Sequence, residues 1–331
     1  MAADGSRTTV AMAIGGNSLV MVAKFVAFGI TGSGAMLSEA IHTLADVLNQ
    51  ILLMVGIVRS EKPADGDYRY GYGQERFVWA LISAVGIFFL GCGVTLYHGI
   101  SSLMHPHEVS GLGWAVGVLL FSLAVEGVVL YVAARALLRA AAGEPFWRYV
   151  NDKADPSAVA VVLEDFAACL GVIIALVCIL LVQVTGAVWW DAVGSILIGV
   201  LLGAVAIWLI ARNRELLVGR ALPPATRARV QEVVRQHGAV TRMVRIKSRP
   251  LGPESYDVML ELDFDGSKIA QRMEGRLIEA WDEIEDYASF KAFAVRFADE
   301  VVDALGDEID EMEAEIREAV PEAKHIDIEP D

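Results

Sequence analysis

The sequence predicts an α-helical polytopic membrane protein, with six transmembrane helices followed by a soluble C-terminal domain. Three observations predict it. Hydrophobic residues make up 55% of the 331-residue chain and its mean hydropathy is positive, which is too apolar for an ordinary soluble domain. The apolar residues are gathered in long runs between Val10 and Ile210, whereas Arg212 to Asp331 reads as soluble sequence. Basic residues between the runs are confined to alternate connections.

The six runs lie at about 10–30, 34–58, 77–103, 112–138, 157–184 and 188–210, each at or above the roughly 20 residues that span ~30 Å of hydrocarbon. Buried core helices of a large soluble protein rarely give six such runs in succession. This divides the chain into a transmembrane domain, 1–212, and a C-terminal domain, 213–331. Arg59, Lys62, Arg69 and Arg76 lie between the second and third runs, Arg135, Arg139, Arg148 and Lys153 between the fourth and fifth, and Arg212, Arg214 and Arg220 after the sixth. The turns near Gly32, His105 and Gly186 carry no Lys or Arg. The positive-inside rule therefore places both termini and the C-terminal domain in the cytoplasm.

The opening MAADGSRTTV leads straight into the first span and shows no charged n-region, cleavage site or Arg-rich transit segment, so the expected location is a bacterial cytoplasmic membrane. Cys92, Cys169 and Cys178 fall inside spans without CxxC spacing and read as small apolar residues. From Leu251 to Asp331 there are 25 acidic and 7 basic residues, a net of −18 against −15 for the whole chain. The C-terminal domain thus has a solubilising acidic face, and no basic footprint for nucleic acid is present.

Ionisable groups inside a membrane are expensive and point to function. The second span reads MLSEAIHTLADVLNQ, and His42 and Asp46 in it are four apart, so they stack on one helix face and can share a ligand. The fifth reads VAVVLEDFAACLG, with Glu164 and Asp165 adjacent. Counted from opposite surfaces at 1.5 Å per residue, Asp46 lies roughly 18 Å down and Asp165 roughly 14 Å up, depths that sum to about the hydrocarbon thickness. One imidazole and two or three carboxylates at mid-membrane make a compact site for Zn2+, a set that also accepts Mn2+, Fe2+ or Co2+. Empty, such an anionic cluster repels itself, so protons or a metal must occupy it. Metal/proton exchange follows as the expected mechanism, with His42 the natural proton carrier. The bland alternative is that these groups pair with Lys24 or bond between helices.

The six spans, the HxxxD of the second, the acidic pair of the fifth and the acidic tail together resemble the cation diffusion facilitator family. RYGYGQERFVWALISAVGIFFLGCGVTLYHGI, TGSGAMLSEAIHTLADVLNQ and VVLEDFAACLG look like the branch of that family containing zinc transporter nine. The resemblance covers about 10–265 and returns at AVPEAKHIDIEPD. It implies a homodimer exporting zinc, manganese, iron or cobalt against protons by alternating access, not an enzyme. It also implies a cytoplasmic α+β domain of the ferredoxin-like αββαβ type. The sequence can supply one: a helix around 224–237, strands near 241–249 and 255–264, a helix around 296–319 and a strand at 324–329. The remaining stretch, about 267–295, reads as an insertion.

Departures from the family pattern bear on the site. Where many zinc-transporting relatives carry a His four residues before the fifth-span Asp, this chain has Val161, and Glu164 is the substitute, about 100° around the helix from Asp165. Positions that hold His in a second zinc site of some relatives match Tyr68 and Tyr72, leaving Asp65 and Asp67. Those of the cytoplasmic sites match Val244, Arg296 and Asp327; His237 and His325 are read as isolated surface residues. The metal ligands predicted are therefore His42, Asp46, Glu164 and Asp165.

Of the other polar residues in spans, Asn17, Glu39, Asn49, Gln50 and Glu126 could line a pathway. Interhelical hydrogen bonds are the expectation for Asn17, Asn49 and Gln50, and Glu126 is either a proton relay or a partner of Lys24. His105 and His107 read as outer-loop residues, and Gly194, Gly199 and Gly203 as close-packing positions. Two functions from other classes compete: a non-transporting receptor or scaffold acting through its cytoplasmic domain, and an intramembrane metalloenzyme. No HExxH supports the second.

Overall fold

A computed structural model describes residues 2–105, 112–143, 145–152, 154–253 and 255–331, among which side chains are described from Val10 onward except at Gly34, Leu112, Asn151, Asp152 and Pro156. His107 and Lys153, singled out above, lie outside the described residues. The chain divides into two compact units, Met1–Val218 and Gly219–Asp331. The division falls six residues beyond position 212 because the last membrane helix continues to Val218.

Among the described residues, the regular structure of the first unit is all helical. In chain order it runs α1 (Ala2–Thr31), α2 (Gly34–Ser60), α3 (Glu75–Gly86), a π-helical stretch (Ile87–Val94), α4 (Thr95–Met104), α5 (Leu112–Ala140), the short α6 (Phe146–Asp152), α7 (Pro156–Thr185) and α8 (Trp189–Val218). Among the described residues, six spans of 22 to 30 residues are long and apolar enough to cross a membrane, the third being α3, the π-helical stretch and α4 in series. Lipid offers the backbone no hydrogen-bond partners, so each run satisfies itself as a helix. This is an integral membrane protein.

Local chemistry sets the ends. Ser33 caps α2 by accepting from Met36 N, and Asp155 caps α7 by accepting from Ser157 N, with Pro156 at the first helical position. Gly186 closes α7 at φ 71°, a left-handed conformation that glycine adopts without a Cβ penalty. Asp191, in the first turn of α8, accepts from Ser33 Oγ at 2.9 Å and from Ala35 N at 3.2 Å, so one carboxylate ties the start of α8 to the start of α2. Asp191→Ala is expected to lower stability by ~1–3 kcal/mol, because two buried donors lose their acceptor. The melting temperature in detergent measures this, and a wild-type value would deny the tie.

The third span packs on α8 through glycines. A Cβ at Gly99 would stand 2.8 Å from Ile196 Cγ1, one at Gly199 2.8 Å from Leu96 Cγ, and one at Gly203 2.9 Å from Cys92 Sγ. Gly194 meets Cys178 of α7 in the same way, at 3.1 Å. Small residues at a helix contact let the backbones approach, which is how membrane helices gain packing energy.

The second unit holds α9 (Pro224–Gln236), β1 (Val240–Gly252), β2 (Ser255–Phe264), α10 (Gly266–Arg272), α11 (Glu274–Trp281), α12 (Tyr287–Ala319) and β3 (Ala323–Pro330). The sheet order is β1-β2-β3, with β1 antiparallel and β3 parallel to β2. The parallel pair requires a crossover, which α12 supplies. Alternating Val258, Leu260 and Leu262 of β2 face Val230 and Val234 of α9 and Met312 and Ile316 of α12 in one apolar core. α12 begins nine residues before the expected 296, capped by a reciprocal pair of hydrogen bonds between Asp286 and Ser289. The stretch 267–295 is thus α10, α11 and the first turns of α12.

Candidate metal centre

Each predicted ligand sits in a helix long enough to carry it to mid-membrane, and each is buried. His42 and Asp46 project from α2, with Nε2 3.3 Å from Oδ2. Glu164 and Asp165 project from α7 and are likewise buried. Asp46 stands close enough to Glu164 and Asp165, and His42 to Asp165, to interact electrostatically across the two helices. Among the described residues, however, no three His, Cys, Asp or Glu side chains converge into a ready coordination shell. The predicted ligands stand as one pair on each of the two helices.

Their polar atoms are short of partners. Neither ring nitrogen of His42, neither oxygen of Glu164, nor Oδ2 of Asp165 has an aligned hydrogen bond. Asn17 of α1 faces Asp165 closely enough to interact, although its amide nitrogen makes no aligned bond. Buried polar groups are ordinarily satisfied, so a cluster of exceptions calls for an explanation. Here the unsatisfied atoms are nitrogen and carboxylate oxygen, the donors a divalent transition metal takes. Val161 is fully buried in the apolar core and contributes no donor.

Beside the pairs lies a second polar group of opposite character. Lys24 of α1, fully buried, donates to Glu39 Oε2 at 2.7 Å, Thr43 Oγ1 at 2.9 Å and Glu126 Oε1 at 2.9 Å. Ser122 adds a bond to Glu126 Oε1 at 2.9 Å. All three donors of the ammonium are used. Glu126 is therefore a partner of Lys24, one of the two roles its position allowed, and Lys24 does not pair with the predicted ligands. Thr43 and Ser122 escaped the sequence reading. The signal was available: Glu39/Thr43 and Ser122/Glu126 are each four apart, hence on one helix face.

Other expectations resolve individually. Gln50 is fully buried with neither side-chain polar atom hydrogen-bonded, so the interhelical bond expected of it is not formed; of Asn49, Nδ2 is without a bond. Asp65, in the connection after α2, is engaged in closing its own loop. Its Oδ1 accepts from the Asp67 and Tyr68 amides and its Oδ2 accepts from Tyr72 Oη at 2.7 Å. The Tyr72 hydroxyl, then the Tyr68 amide, hold the Asp65 carboxyl below its usual range, and Asp65 in turn pushes the Tyr72 phenol up to about 12. His237 is not an exposed residue: it is buried, with Nδ1 2.8 Å from Glu308 Oε1, while Arg272 also pairs with Glu308. The helix end that carries His237 lies under α12, which sequence spacing could not reveal. His325 is exposed on β3 opposite Asp257 in the strand register, and His105 is exposed at the end of α4.

Residues 10–218 match the family model described as the cation efflux transmembrane domain, which is the whole of the helical unit from the first described side chain to the end of α8. The chain belongs to the cation efflux family. This cation efflux protein is 38% identical over 332 aligned residues to the mitochondrial proton-coupled zinc antiporter SLC30A9 of Mus musculus, covering 98% of this chain and 59% of that protein. It is 37% identical to metal tolerance protein C4 of Arabidopsis thaliana, covering 98% of this chain and 73% of that one. It is 27% identical to the cation-efflux pump FieF of Shewanella oneidensis, covering 79% and 82%. The chain thus spans about three fifths of the length of the mouse relative.

Proposed function

We propose that this protein carries a divalent transition-metal ion, zinc first among them, across a membrane in exchange for protons. The ion binds between α2 and α7 at His42, Asp46, Glu164 and Asp165. The observation that carries this reading is the set of buried, unpartnered nitrogen and carboxylate oxygen atoms on those two helices. Such a cluster of like charges is stable only when protonated or metal-loaded, so loading one cargo expels the other. That antagonism is antiport in its simplest chemical form. The names of two relatives, a proton-coupled zinc antiporter and a metal tolerance protein, support it. Mn2+, Fe2+ and Co2+ fit the same ligand set.

The two pairs close into a shell when α2 and α7 approach, and separate to release, which makes alternating access the natural cycle. We further infer a homodimer with both termini and the C-terminal unit on the side of the basic connections, the cytoplasmic side of a bacterial membrane or the equivalent inner side of an organelle. The mouse relative's name places that protein in mitochondria and the Shewanella relative is bacterial.

Purified protein in liposomes enclosing a zinc-sensitive dye is the test. Zinc flux is expected when a proton gradient is imposed and not when the gradient is collapsed. Gradient-independent flux would refute antiport, and no flux with zinc, manganese, iron or cobalt would refute transport.

A further inference from the structure

We infer that Glu39 is a positioning residue for His42. It holds the imidazole through Nδ1 so that Nε2 faces Asp46 and the transported ion, and Lys24 holds Glu39. The inference rests on the proposed binding of the ion at His42 and Asp46.

Glu39 lies one turn before His42 on α2, and its two carboxylate oxygens do different things. Oε2 is fixed by Lys24 Nζ at 2.7 Å. Oε1 takes no hydrogen bond and lies 4.0 Å from His42 Nδ1. On the opposite side of the ring, Nε2 is 3.3 Å from Asp46 Oδ2. The imidazole is therefore strung between two carboxylates, one at each nitrogen. A neutral imidazole has one N–H and one lone pair. Giving the N–H to Glu39 at Nδ1 leaves the Nε2 lone pair for a metal, the arrangement by which an outer carboxylate sets the tautomer and raises the basicity of a histidine ligand. The 4.0 Å separation is longer than a formed hydrogen bond, and it has to shorten when a metal binds at Nε2 for Glu39 to hold the ring.

Charge and packing agree. Lys24 is one cation bonded to two carboxylates, so Glu126 alone would neutralise it. The surplus negative charge is that of Glu39, and it is directed at His42. From the other side, α7 presses its backbone against the meeting point. A Cβ at Gly171 would stand 2.8 Å from Glu39 Oε1 and 3.7 Å from His42 Nδ1. With Oε2 already held by Lys24, Oε1 can escape such a Cβ only by turning the carboxylate. Glycine at 171 therefore keeps the carboxylate beside the ring.

The experiment uses full-length protein in detergent, with zinc and manganese titrations by calorimetry and 15N-histidine NMR. The chain has only six histidines, and His42→Ala assigns the resonance. Glu39→Gln leaves Lys24 paired with Glu126, so a fold close to wild type is expected. Zinc affinity should fall by about 10- to 100-fold, the usual loss when an outer partner of a metal-bound histidine is removed. Manganese affinity should fall less, and the His42 nitrogens should lose their fixed tautomer. Gly171→Ala should reproduce these changes with Glu39 intact, which a merely structural role for Glu39 does not predict. Wild-type zinc affinity and an unaltered His42 signature in both variants would overturn the inference while leaving the site in place. Wild-type zinc affinity in His42→Ala would instead remove the site, and the inference with it.

Discussion

Asp46→Ala and Asp165→Ala are each expected to abolish proton-driven zinc flux, and Asp165→Ala to leave the folded protein no less stable. The two effects have one cause. Removing even an outer partner of a metal ligand weakens binding by ~10- to 100-fold, and removing a ligand itself does more, so flux should fall below ~1% of wild type by that measure. Yet Asp165 has a buried oxygen without a bond and shares its surroundings with Glu164 and Asp46. Deleting one of these carboxylates relieves like-charge repulsion, and each unsatisfied buried oxygen removed recovers ~1–3 kcal/mol of desolvation penalty. Glu164→Gln belongs to the same class, with both oxygens unpartnered: transport should decline if Glu164 completes the shell, and the melting temperature should hold or rise. Val161→His is not needed for activity. Liposome flux and thermal unfolding in detergent, measured on the same preparations, read out both halves. A variant that loses flux because it unfolds would contradict the expectation, as would one that keeps wild-type flux.

Much of this was legible before any coordinates. Span lengths follow from bilayer thickness and backbone rise, so six apolar runs locate the spans to within two residues at most ends, while α1 starts and α8 ends eight residues beyond its run. The polar stripe of α2 was legible too. Glu39, His42, Thr43 and Asp46 fall at i, i+3, i+4 and i+7, one face of a helix in an otherwise apolar run. What spacing cannot say is how that face divides among its neighbours. Glu39 and Thr43 turn to Lys24, whereas His42 and Asp46 turn to α7, and the division depends on where α1 and α7 pack. The same limit explains His237. No potential ligand stands beside it in the sequence, so it reads as isolated and exposed, but its partner Glu308 is 71 positions away on α12. The tie from Asp191 to Ser33, across 158 positions, was invisible for that reason also.

The membrane unit thus contains buried charge of two kinds within one bundle. Around Lys24 every donor of the ammonium has an acceptor, with Glu39 Oε1 and Glu126 Oε2 left over; around Glu164 and Asp165 three buried carboxylate oxygens have no donor and no buried ammonium beside them donates to them. Low dielectric strengthens a satisfied network and penalises an unsatisfied one. The first kind suits a fixed framework and the second a site whose missing partner is a passing cation. Glu39, with one oxygen in each, joins them.

Lys24→Met separates the two kinds by experiment, and a large loss of stability is its expected result. The substitution strips Glu39 and Glu126 of their common counter-ion and leaves two buried carboxylates without a cation. Breaking a buried ion pair from one side typically costs ~3–5 kcal/mol, whereas replacing the whole group by neutral residues of similar volume is often near neutral. The combination of Lys24→Met, Glu39→Gln and Glu126→Gln should therefore recover most of the melting temperature lost by Lys24→Met alone. It retains His42, Asp46, Glu164 and Asp165, so zinc should still bind, but with the reduced affinity expected of Glu39→Gln. Unfolding of the three-residue combination as severe as that of Lys24→Met would show that the charge itself, and not its lack of a partner, holds the bundle together. Full stability in Lys24→Met would show that the framework does not depend on the ammonium at all.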